Sequence, residues 1–146
     1  MNEKAQNLLS GAEGVIFFNG EELAYVKAIS ADVEKSKAER RVVGKRNTLH
    51  KATGWNGTGT LTLFKVTSKF RELMVNYIKN GVDFYGDVQI TTQDPGATEV
   101  GKEVNILRNV NFDTVNVGNL DPDAEVLEEE MAFTFEDWDL TEKFNL

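Results

Sequence analysis

The hydrophobic positions change period along the chain, and each change marks an element. Gly14-Val15-Ile16-Phe17-Phe18 is a short apolar run closed by Asn19-Gly20, and Asn-Gly is the strongest short-range hairpin signal a sequence carries. Leu23, Tyr25, Ile29, Ala31 and Val33 then share one parity, with Lys27 as the exception and Asp32 and Glu34 on the other parity. Such alternation predicts a strand with one buried face. Residues 60–66, rich in Thr, Leu and Phe, read as another strand. The spacing next becomes three and four, at Phe70, Leu73, Met74, Tyr77 and Ile78. This predicts a helix that starts at a Thr67 or Ser68 cap and stops at Asn80-Gly81.

Strands resume after the helix. Phe84, Val88 and Ile90 share a parity up to the turn Gln93-Asp94-Pro95-Gly96, and Val104, Ile106, Val110 and Phe112 share another, interrupted by Arg108. Val115 and Val117 switch parity, which predicts a bulge or two shorter strands. Asp121-Pro122-Asp123 is a turn, and Leu127, Met131, Phe133 and Phe135 alternate with Glu128, Glu130, Ala132, Thr134 and Glu136 in the clearest strand of the chain. Leu140 and Phe144 are expected to anchor the tail.

Two stretches fit no period. Residues 1–13 are polar to Ser10 and read as an N-terminal arm. Residues 35–59 hold Lys35, Lys37, Arg40, Arg41, Lys45, Arg46 and Lys51, punctuated by Gly44, Gly54, Gly57 and Gly59. They are expected to form a long exposed loop, or an extended hairpin around residues 40–43. An excursion of this length in a small domain is usually functional. The expected fold is therefore mainly β. It is a single domain over residues 1–146, a two-sheet antiparallel sandwich or barrel with one flanking helix and one long exposed loop.

Composition narrows the function. The chain has 146 residues, enough for one core without staples, and its 40 % hydrophobic content excludes a disordered tail. It has no cysteine, which removes disulfide and thiolate chemistry and fits synthesis in a reducing cytoplasm. No run approaches a bilayer span, and residues 1–7 lack the basic start and apolar run of a secretory leader. The net charge of −8 opposes nucleic-acid binding, because phosphate contacts need free Lys and Arg.

Candidate chemistry is sparse. His50 is the only histidine, and no nucleophile or orienting carboxylate lies near it in sequence. Asp121, Asp123 and Glu125 resemble the start of a calcium loop, but Val126 stands where its glycine belongs and Ala132 where its bidentate Glu belongs. Gly54-Trp55-Asn56-Gly57-Thr58-Gly59 lacks the Gly-Lys-Ser/Thr ending of a phosphate loop and runs into a strand. Glu128-Glu129-Glu130 reads as a solvated charged rim, with Glu128 and Glu130 on one strand face and Glu129 on the face of Met131. A small-ligand barrel would need a polar cluster among inward residues, and only Lys27 and Arg108 interrupt the apolar sets. No enzyme, cofactor or metal is expected.

The order of these features resembles the tail tube proteins of contractile-tailed phages and phage-like prophage elements. Four stretches carry the resemblance: residues 14–24 with the alternating strand that ends in Val33-Glu34-Lys35-Ser36-Lys37; Val43-Gly44-Lys45-Arg46 with Lys51 and residues 54–62; residues 66–81; and residues 127–137. Together they span almost the whole chain. The resemblance implies hexameric rings stacked head to tail into a hollow tube for DNA passage, residing in a virion tail and made in the host bacterial cytoplasm. It implies contacts through the N-terminal arm and the long loop, where Arg40, Arg41, Lys45, Arg46, Lys51 and Trp55 are the expected interface residues. The implied partners are further copies of the chain, a tail sheath, baseplate or tail-tip proteins and a tape-measure protein. Sequence-specific nucleic acid and membranes are not among them. The tube of a phage-tail-like bacteriocin or contractile injection system fits the same features.

Overall fold

The computed structural model describes residues 5–8, 11 and 14–146. Of the expected arm over residues 1–13, most lies outside the described residues; among those described, Ala5–Asn7 form a single 3-10 turn. The strands are β1 (Gly14–Phe18), β2 (Glu21–Glu22), β3 (Val26–Arg41), β4 (Thr48–Phe64), β5 (Gly86–Gln93), β6 (Lys102–Phe112), β7 (Glu128–Phe135) and β8 (Asp137–Glu142), with one α-helix, α1 (Lys69–Asn80), between β4 and β5.

All pairings are antiparallel, in the order β2-β1-β5-β6-β7-β4-β3, with β8 also on β6. Strand β6 joins two halves. Its first part pairs with β5 and β8, while Asn111 and Phe112 at its end pair with β7. Just before the second part, a bulge opposite Gly86–Val88 takes in Asn109, whose φ of 54° is the left-handed region that Asn tolerates better than most residues. Phe18, Val88 and Leu107 from one half meet Leu61, Leu63, Met131 and Phe133 from the other in one buried cluster. Phe70 of α1 enters the same cluster, 5.4 Å from the Phe18 ring and 5.0 Å from Phe112, both edge to face. These are favoured aromatic geometries. The mainly β, antiparallel reading with one helix holds, and the strands expected in two sheets are linked through β6 into one eight-stranded sheet.

Several elements differ from the sequence pattern. Residues 35–59 are not an open loop but the outer part of the β3–β4 hairpin, closed by a turn at residues 42–47. The alternation from Leu23 breaks at Tyr25, which is 62 % exposed with φ 63°. The pairing then slips by one residue between Val26 and Ala28, so Lys27 is a bulge that faces solvent rather than the core and bonds Glu128 at 2.8 Å. In β6 the buried positions are Val104, Leu107 and Val110: the slip opposite Gly86–Val88 inserts one extra β6 residue between Leu107 and Val110, so these two share a face, and Ile106 is only half-buried. Residues 113–127 carry no strand; Val115 packs on the core while Val117 is 88 % exposed. The tail is held as strand β8 pairing with β6, and Leu140, expected to anchor it, is 44 % exposed.

Candidate assembly surface

The β3–β4 hairpin outgrows the body. Gly57, opposite Phe135, is the last residue of β4 that pairs with β7. From Glu34↔Asn56 to Arg41↔Thr48 the two strands pair only with each other. At about 3.3 Å per residue, these eight positions carry the arm roughly 26 Å beyond the sheet. Two glycines form its root. Gly57 and Gly59 lie directly opposite Phe135 and Phe133, and a Cβ would stand 2.5 Å and 2.3 Å from those rings. The rings therefore lie flat across β4 where any larger residue would lift them off.

Arg40 faces Leu49, Arg41 faces Thr48, and Lys51 faces Ala38, while Lys45 and Arg46 occupy the turn, where the Lys45 N–H donates to the Val42 carbonyl at 3.2 Å. Among the described residues none of these five cations forms an ion pair. The expected interface residues therefore divide into a basic tip and, at the root, Trp55 opposite Lys35 with its ring 6.1 Å from Phe135. His50 stands opposite Glu39, Nδ1 3.8 Å from Oε1, with both side chains exposed.

The outer face of β3, β4 and β7 is of different character. Rows Ala28–Thr62–Glu130, Ser30–Thr60–Ala132 and Asp32–Thr58–Thr134 cross it, alternating with the core-facing Ile29, Leu61, Met131 and Phe133. It is a field of small hydroxyl side chains with carboxylates at Asp32 and Glu130 and no Lys or Arg in those rows.

Two ion-pair groups fix the body. Glu129, read from the sequence as part of a solvated rim, is 2 % exposed and paired with Arg71 of α1, whose Nη2 also donates to the Thr67 carbonyl at 2.6 Å. The inward parity shared with Met131 places it there, and the helix supplies the cation that the local sequence does not show. Arg108, the other apparent inward exception, lies at the surface between Asp139 (3.0 Å) and Asp87 (2.9 Å). Those two hydrogen bonds, Asp139 first, raise its pKa further above the ordinary arginine value. Lys27 borders a groove with Tyr25 and Phe64, and Arg108 borders another with Phe17 and Asp87.

The motifs weighed for chemistry have structural uses. Asp121 accepts the Asp123 N–H at 3.0 Å in an ordinary turn. The glycine-rich run is β-strand. Among the described residues no group of three or more His, Asp or Glu gathers to hold a metal, and no helix is long and apolar enough to cross a membrane.

Known proteins share this architecture. A family model described as phage tail tube protein matches residues 1–142. The phage-like element PBSX protein XkdM of Bacillus subtilis (strain 168) is 50 % identical over 142 residues, covering 97 % of this chain and 96 % of its own. Among solved structures, the sheath/tube terminator of an extracellular contractile injection system superposes with a TM-score of 0.74 at 13 % identity, covering 95 % of this chain and all of its own. The tube-terminating cap of the anti-feeding prophage gives 0.74 at 14 % identity, covering 97 % and 95 %. At those identities the two structures speak for the fold alone, but the family match and the Bacillus relative extend over nearly the full chain, and this protein belongs to the phage tail tube protein family.

Proposed function

We propose that the chain is the repeating structural subunit of a phage or phage-like tail tube, without catalytic activity, forming hexameric rings that stack into a hollow conduit for DNA. The observation that carries this reading is the arm. A basic hairpin projecting roughly 26 Å from an acidic body, with its cations unpaired, is built to lie on something else. Arg40, Arg41, Lys45, Arg46 and Lys51 contact the adjacent ring, and Trp55 packs at the arm's root.

The outer face of β3, β4 and β7 lines the channel in this reading. Its hydroxyls, Asp32 and Glu130 offer passing phosphates no cation that could release counterions and hold them. DNA slides past it. Sheath, tail-tip and tape-measure proteins are the further partners, and the assembled tube belongs to a virion tail made in the bacterial cytoplasm. The XkdM relative, from an element named as phage-like, favours this over a bacteriocin or injection tube that carries no DNA.

Sedimentation across a concentration series tests the proposal. Species larger than the monomer should appear and grow as concentration rises, with a tail-tip nucleus lowering the threshold. A monomer at every concentration, nucleus present or absent, would overturn it.

A further inference from the structure

Both tryptophans of the chain line one groove. Trp55 comes from β4 at the root of the arm and Trp138 from the start of β8, 83 positions later in the sequence. With Val33, Ala52, Lys35 and Asp137 they bound a space of about 460 Å³ between the arm and the rim of the body. The rings are 42 % and 46 % exposed. Each is nevertheless fixed on one side, Trp55 beside Phe135 and Trp138 through an Nε1–H bond of 2.8 Å to Asn105. Two fixed indoles, bare on the groove side, are the kind of anchor that dominates a protein interface.

A complementary surface lies at the other end of the sheet. Residues 113–127, which connect β6 to β7, present Leu120 at 95 % exposure and Val117 at 88 %. They are held in shape by Lys65, whose Nζ donates to Asn116 and Asn119 at 3.3 and 3.0 Å and whose backbone N–H donates to the Leu127 carbonyl at 2.8 Å. Their charge is one-sided: Asp113, Asp121, Asp123 and Glu125 are there, and no Lys or Arg occurs anywhere between Arg108 and Lys143. The groove carries Lys35, with Lys37 next on the same face of β3. One carboxylate, Asp137, also lines the groove and accepts the Trp138 backbone N–H, so the groove and its rim carry Lys35 and Lys37 against a single acid. Trp55 and Phe64 are nine residues apart on β4, about 30 Å, so a chain's connection cannot fill its own groove.

We infer that residues 117–120 of one copy seat in the Trp55–Trp138 groove of the next, with Asp121 and Asp123 set against Lys35 and Lys37. The inference rests on the tube reading and names the contact within it. Because donor and acceptor surfaces are different patches about 30 Å apart along β4, the contact is heterologous and repeats along an axis.

The full-length protein carries its own probe, since no other tryptophan contributes to its emission. Emission should shift to the blue, and iodide quenching should fall, as the wild-type chain associates. The double variant Lys35→Glu/Lys37→Glu and the variant Leu120→Asp, all at exposed positions, should keep the wild-type circular dichroism spectrum and lose the shift. Mixing the two variants leaves one intact groove and one intact connection, and should restore part of the shift. Association of the wild type with unchanged emission and quenching, or a mixture that stays silent, would overturn the inference and leave the tube standing. No association of the wild type at any concentration would overturn both.

Discussion

At the scale of single residues, the account depends on close approaches that a variant can probe. Gly59 is held against the Phe133 ring and the Ser30 carbonyl, where a Cβ would stand 2.3 and 2.5 Å away. Gly59→Ala is therefore expected to cost about 1–3 kcal/mol, read as a lower denaturant midpoint. Gly54→Ala, at a position with open space around it, should stay within about 0.5 kcal/mol of wild type. Arg71→Ala strands the Glu129 carboxylate in a site where it is 2 % exposed, and should cost about 3 kcal/mol or more in the same measurement. Arg108 behaves differently. Its raised pKa means that its charge, and any stability linked to it, is present below the ordinary arginine range and is lost only as pH climbs above it. Its ion pairs with Asp87 and Asp139 should thus show no arginine titration near neutrality.

At the scale of elements, the sequence was legible wherever one face is buried. Helix α1 forms where its spacing of three and four places it, down to the Gly81 cap at φ 71°, with Phe70, Leu73 and Met74 covered but Tyr77 and Ile78 49 % and 67 % exposed; β7 follows its strict alternation. The arm was legible only as a loop or an extended hairpin around residues 40–43, because both its faces meet solvent and no alternation survives there; the hairpin holds, with its turn at residues 42–47, and pairing between β3 and β4, rather than burial, makes it regular. Strand β6 misled because one extra residue between Leu107 and Val110 displaces the parity, and residues 113–127 misled because Val115 packs on the core without any strand partner. For the site, the basic tip could be read from charge alone. The groove could not: Trp138 joins Trp55 only through tertiary packing of β8 on β6. Deleting residues 40–51 removes only hairpin that pairs with itself, so the variant should unfold at the wild-type temperature yet fail to polymerise. If the deletion unfolds the body, the arm is part of the core.

At the scale of the whole molecule, charge separates the functions. The chain has 24 acidic residues against 16 basic ones, and seven of the basic residues lie on or at the root of the arm. In the proposed tube those seven are committed to neighbouring copies, which leaves its channel and exterior more acidic than the chain average. Duplex DNA should show no mobility shift with this protein at physiological salt. Assembly should weaken as salt rises, because contacts through Arg40, Arg41, Lys45 and Arg46 are screened. Assembly indifferent to salt would move the weight to apolar and strand-edge contacts and remove the role given to those four side chains. The central claim is that this small acidic domain builds a hollow tube from copies of itself. Electron microscopy of the purified protein at high concentration, with and without a tail-tip nucleus, tests it most directly: stacked hexameric rings around an open channel are the predicted result, and dispersed monomers under every condition would contradict it.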